Sequence, residues 1–101
     1  MYVKNYEIEV FDRAEDFILN LPEKERAIVF ANITTMKNNF SGVNTRLLKY
    51  PIKELKVKSA RILFFINKNK IYLVSGFNKK SQKTPKLEIE YALSIYKKFK
   101  K

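Results

Sequence analysis

Residues 61–77 read RILFFINKNKIYLVSGF. Two apolar runs flank Asn67-Lys68-Asn69, a turn signal, so the stretch predicts a β-hairpin of strands 61–66 and 70–77. Successive side chains of a strand point to opposite faces. Here both faces are apolar, so these strands belong in the middle of a sheet with a layer on each side. The rest of the chain has to supply those layers and the outer strands.

On the N-terminal side, KELKVKS (53–59) alternates. Leu55 and Val57 face one way, and Glu54, Lys56 and Lys58 the other. TRLLKY (45–50) is one further strand candidate, interrupted at Pro51. NNFSGVN (38–44) reads as a loop. Before it, Val29, Ile33, Met36 and Phe40 make the apolar stripe of a helix whose first turn suits Pro22, Glu23 and Glu25. An earlier helix opens at DRAE (12–15), which fits a capping box with Asp12 as N-cap. Ala14, Phe17, Ile18 and Leu21 follow at helical spacing. The two helices meet at NLPEK (20–24) and are expected to form an antiparallel hairpin. Residues 2–11 read as a strand in which Ile8 and Val10 alternate with Glu7 and Glu9.

On the C-terminal side, Thr84 and Pro85 suit the N-cap and first position of a last helix. Its buried stripe is Ile89, Ala92, Leu93, Tyr96 and Phe99, and its tail, KKFKK, sits at the negative end of the helix dipole. The order is strand, two helices, three strands, helix. That is an α+β chain of 101 residues with a mainly antiparallel sheet, enough for one domain over 1–101 and one core.

The chain has no Cys and no His. Disulfides, thiolate catalysis, Ser-His-Asp arrangements and zinc-type metal sites therefore drop out, and no cofactor is expected. Gly42 and Gly76 are too far apart for a phosphate-cradling loop. No run approaches the length of a membrane span, so the expectation is a cytoplasmic protein without a membrane partner.

Charge is segregated. Residues 1–40 carry five basic and seven acidic side chains, net −2; residues 41–101 carry sixteen and three, net +13, which gives the whole chain +11. A polyanion is the natural partner of the second half. A lysine-rich codon bias accounts for the abundance of Lys but not for its segregation. It also makes Arg13, Arg26, Arg46 and Arg61 more informative than the lysines.

Hairpin pairing brings Arg61 beside residues 76–78, and so close to the run Lys79, Lys80, Gln82 and Lys83. Lys56 and Lys58 are expected on the same strand face, completing a basic patch beside a helix N-terminus that favours anions. Such a set can cleave RNA without a metal. The 2′-OH is the nucleophile, Arg and Lys neutralise charge on the transition state, and a Lys of lowered pKa can move a proton. The plain alternatives are a solvated basic edge that keeps the sheet from aggregating, and for Arg61 a salt bridge to Glu54.

ELKVKSARILFF (54–65) and FNKKSQKTP (77–85), with RAEDFILNLP (13–22), resemble the RelE/HigB toxin superfamily, in particular its phage-derived HigB-like branch. The resemblance spans nearly the whole chain, and Phe77–Pro85 is its most specific block. It implies a compact RelE-like domain acting as a type II toxin. Such a toxin is a ribosome-dependent endoribonuclease, or mRNA interferase, that enters the ribosomal A site, cuts translated mRNA and is restrained by a cognate antitoxin. It further implies Arg61, Lys56, Lys79 and Lys80 as catalytic residues and Gln82, Lys83 and Thr84 as RNA-binding ones; Lys58 and Lys86 are expected to bind RNA beside them. Some superfamily members carry a catalytic His or Tyr near the C-terminus. This chain has no His, and Tyr91 and Tyr96 read as helix core or flank, so the general base stays unassigned. A related subgroup poisons DNA gyrase on a similar scaffold, which leaves a gyrase-directed, non-catalytic or simply RNA-binding protein as the alternative.

Overall fold

A computed structural model describes residues 5–79 and 84–99. Its elements in chain order are β1 (Glu7–Val10), α1 (Asp12–Leu19), α2 (Glu23–Asn38), a 3-10 turn over Phe40–Gly42, β2 (Thr45–Lys49), β3 (Ile52–Val57), β4 (Ala60–Asn67), β5 (Lys70–Asn78) and α3 (Lys86–Phe99). The strands form one sheet in the order β1-β5-β4-β3-β2. Strands β2 to β5 are antiparallel neighbours, and β1 runs parallel to β5. The fold is α+β, with β4 and β5 inside the sheet as their two apolar faces require. Four strands rather than three follow the helices. Residues 45–49 fold back on β3, with Arg46 opposite Glu54, after a reversal at the cis Tyr50–Pro51 bond.

The two layers are read most directly from Phe64 and Phe65. They are adjacent in sequence and fully buried, on opposite faces. Phe64 belongs to a core with Leu55, Ile62, Ile71 and Leu73 of the sheet, Ala14 and Ile18 of α1, and Val29 and Met36 of α2. Phe65 belongs to a second core with Leu63, Tyr72 and Val74 under Ala92 of α3. Here the rings are the filling: Tyr96 meets Phe65 edge-on at 5.0 Å, and Phe99 lies 4.5 Å from Tyr72. Burying either phenylalanine contributes about 1.5–3 kcal/mol.

Three helix starts differ from the sequence reading by a residue. Phe11, not Asp12, precedes α1. Its extended backbone still donates to Leu73 at 2.9 Å, so strand pairing runs on through Phe11 and Asp12 becomes the first helical residue. Pro22 stands just before α2 and accepts from the Arg26 N–H at 2.9 Å. Pro85 holds the same place before α3, accepting from Glu88 at 3.0 Å, while the Thr84 side chain is engaged elsewhere. The first strand is also shorter than 2–11: residues 5 and 6 precede it without strand pairing, and 1–4 fall outside the described residues.

Helix α1 is seated on β5 by a glycine. An added Cβ at Gly76 would overlap the Phe17 ring. Gly76→Ala is expected to cost about 1–3 kcal/mol, lowering the melting temperature by roughly 4–8 °C for each kcal/mol. Calorimetry of Gly76→Ala beside the double variant with Phe17→Leu checks this. An unchanged midpoint in the single variant would mean that the ring moves aside freely.

Candidate functional site

The face of the sheet that carries α3 is apolar along most of its length and ionic at one end. Arg46, Glu54 and Leu63 lie side by side across β2, β3 and β4, and Lys56, Arg61 and Phe77 two residues further along across β3, β4 and β5. Strand alternation puts both sets on the α3 face. Next to them, the residue pairing of β4 with β5 shifts between Leu63 and Phe64, leaving Val74 as the extra residue of a bulge.

Glu54 is at the centre and is 0% exposed. As the alternation predicts, it shares a strand face with Lys56, opposite Leu55 and Val57. Its carboxylate is buried because three partners converge on it from β2, β4 and the leader of α3. Oε2 accepts a hydrogen bond from the Thr84 hydroxyl at 2.5 Å. Oε1 lies 3.4 Å from Nη2 of Arg46 and 3.9 Å from Nε of Arg61. No hydrogen bond reaches Oε1, and Nε of Arg61 has no acceptor. Thr84 is thus taken from its expected capping role by a charge-assisted bond, which is stronger than a neutral one. Its oxygen also accepts from Arg46 at 3.4 Å.

The two arginines differ in what they leave free. The Arg61 side chain is 12% exposed. Its Nη1 donates to the carbonyls of Lys58 at 2.5 Å and Ala60 at 3.0 Å, closing the β3–β4 turn. The salt bridge to Glu54, weighed in the sequence as the plain alternative for Arg61, is therefore present. Arg46 is 45% exposed, and only its Nη2 has partners among the described residues.

Lys79 follows β5 and donates its backbone N–H to Ser59 at 2.8 Å. Its ammonium is held below the ordinary value of 10.5 by loss of hydration and by the charges of Arg46, Arg61 and Lys56, against the attraction of Glu54. The lysine and the arginines therefore share one electrostatic neighbourhood, as the hairpin register predicts.

Lys58 does not project from the strand face with Lys56. It occupies the β3–β4 turn with left-handed backbone (φ 55°), because the strand ends at Val57. Lys86 lies in the first turn of α3, 88% exposed and 3.9 Å from Glu90, and no contact among the described residues brings it to Glu54. Lys80, Gln82 and Lys83 lie outside the described residues. Sequence reasoning omitted Arg46 and Glu54 from the site. The signal for Glu54 was present: it is the single acidic residue between Glu25 and Glu88.

The model of the family described as phage derived protein Gp49-like (DUF891) matches residues 16–97. No curated protein matches the chain. Three solved structures share its fold. A chain of the toxin–antitoxin complex RelBE2 from Mycobacterium tuberculosis is 14% identical, with a TM-score of 0.63 over 74% of this chain and 99% of that one. A chain of the archaeal RelE–RelB complex from Pyrococcus horikoshii is 8% identical, with a TM-score of 0.67 over 75% and 97%. A chain of the RelB–RelE antitoxin–toxin complex from Methanococcus jannaschii is 14% identical, with a TM-score of 0.61 over 75% and 98%. At such identities the likeness concerns the fold, which is RelE-like.

Proposed function

The chain belongs to the phage-derived Gp49-like family, and from that premise we propose that it is the toxin of a type II toxin–antitoxin pair, of the HigB-like branch. Its activity is ribosome-dependent cleavage of translated mRNA. The observation that carries this reading is the gathering of Arg46, Lys56, Arg61 and Lys79 at one end of the α3 face. The complexes formed by proteins of the same fold support a cognate antitoxin as partner. Among the described residues no helix is long and apolar enough to cross a membrane. The ribosome and its mRNA place the proposed site of action in the cytoplasm.

The chemistry follows from the residue types. The 2′-OH beside the scissile phosphate gives up its proton and attacks phosphorus, the 5′-oxygen of the next nucleotide leaves and takes a proton from water to become a hydroxyl, and a 2′,3′-cyclic phosphate remains. The guanidinium groups stabilise charge on the phosphorane-like transition state. Lys79, its pKa lowered by its surroundings, is the residue suited to take the 2′-OH proton.

Induction without the antitoxin is expected to arrest growth. Primer extension should show cuts inside translated frames and none in the same transcript without its start codon. Cuts that persist without translation would reject ribosome dependence. With purified components, the cleavage rate should climb with pH and level off below the ordinary lysine value, because the base works deprotonated. Lys79→Gln should remove that rising limb; a limb that survives in the variant assigns the proton transfer elsewhere.

A second reading, a gyrase-directed or otherwise non-catalytic toxin, has one observation in its favour: the Arg61 guanidinium is already engaged by two carbonyls and by Glu54. Gyrase-linked DNA breaks with intact mRNA would select it.

A further inference from the structure

We propose that Glu54 is a positioning residue, a buried carboxylate that holds Arg46 and Arg61 side by side and presents the free edge of Arg46 to a phosphate. The proposal rests on the ribonuclease reading only in naming RNA as the source of that phosphate. A fully buried carboxylate is costly unless several partners compensate it, and an apolar residue there would stabilise the fold as well or better. Its neighbours on the same core, Ile52 and Leu63, show that apolar side chains suit this region. The carboxylate therefore calls for a reason other than stability.

Its contacts supply one. Two guanidinium groups repel each other, and an anion between them removes the repulsion at close range. Glu54 does this for side chains from two different strands, and through Thr84 it adds the segment leading into α3. Arg61 is the inner member, buried and engaged by the β3–β4 turn. Arg46 is the outer member, with Nη2 turned inward and Nε and Nη1 without a partner among the described residues. A phosphate approaching Arg46 meets Lys79 and Lys56, which share its electrostatic neighbourhood. Arg46 is thereby assigned as a phosphate-contacting residue, and Glu54 acts through it.

The test uses the whole chain labelled with ¹⁵N-arginine. Its four arginines give four Nε–H signals, assigned by substitution. In the unaltered protein the Arg46 and Arg61 guanidinium groups should rotate slowly. Glu54→Gln keeps the size and a carbonyl for Thr84 but loses the charge. It should release both groups into averaged signals and lower kcat by about 10²-fold, as for a misplaced catalytic group. KM should stay within about threefold, because the surface cations that gather RNA remain.

Unchanged arginine signals in Glu54→Gln overturn the proposal. So does a variant that melts earlier but retains kcat per folded molecule, the outcome for a residue of structural importance alone. If Glu54→Gln does not fold, the unaltered protein and Thr84→Val decide. Arg46 and Arg61 signals as averaged as those of free arginine, or an Arg61 signal unaffected by Thr84→Val, overturn it; slow signals of which Thr84→Val releases that of Arg61, which bonds Glu54 and not Thr84, uphold it. Should the unaltered protein cleave no mRNA, the ribonuclease reading fails, and the arginine signals still decide whether Glu54 holds the two guanidinium groups.

Discussion

Arg61→Ala is expected to reduce single-turnover cleavage of mRNA on programmed ribosomes by about 10²–10³-fold, the loss typical of a preorganised donor. The structure adds a second expectation. Removing the guanidinium leaves the Glu54 carboxylate with Arg46 and Thr84 alone, and a buried charge that loses one partner costs about 3 kcal/mol. The Lys58 and Ala60 carbonyls lose their donor as well. The melting temperature should therefore fall together with the rate. Arg61→Lys restores a charge but neither the fork that reaches two carbonyls nor the Nε edge toward Glu54, so it should recover only part of each. Cleavage is to be normalised to folded protein. A folded Arg61→Ala that cuts at the unaltered rate leaves Arg61 with its salt bridge and no catalytic part.

The second large effect is in binding. Each phosphate neutralised by Lys or Arg releases counterions, with a slope of about −0.7 per contact for single strands. With six contacts, affinity for a short single-stranded RNA should fall roughly 10²–10³-fold between about 50 and 200 mM salt. Lys79→Ala should reduce the slope by about one contact, whatever the RNA sequence. Glu9→Gln, at the opposite edge strand where the side chain pairs with Lys70, should leave the slope alone. A slope that ignores Lys79 would place it outside the interface.

What was legible in the sequence was whatever depends on periodicity. The two-sided apolar runs of 61–77 led to an interior hairpin and hence to layers on both faces, and Phe64 and Phe65 anchor those layers. The same register put Lys79 near Arg61. Of the long-range polar partners, only the Arg61–Glu54 pair was legible, as an alternative reading. Alternation puts Glu54 on the face opposite Leu55, but its burial depends on Arg46, Arg61 and Thr84, which reach it from three other segments. Thr84-Pro85 has the composition of a helix start, but a carboxylate thirty positions earlier competes for the hydroxyl. Lys58 sits in a strand-like alternation that the turn cuts short. Local pattern specifies which face a residue prefers; the ionic centre was assembled by tertiary contacts that pattern does not encode.

The placement of β1 bears on how the molecule is made. Glu7 pairs with Lys70, so the first of the five strands waits for the last. Closing so long a loop costs several times RT, and the cost is recovered only once β5 exists to receive it. Thr84, which ties the ionic centre together, is translated later still. A growing chain consequently holds neither a finished sheet nor a finished centre. On the proposed reading, the phosphate-binding site is therefore absent until Thr84 has been added.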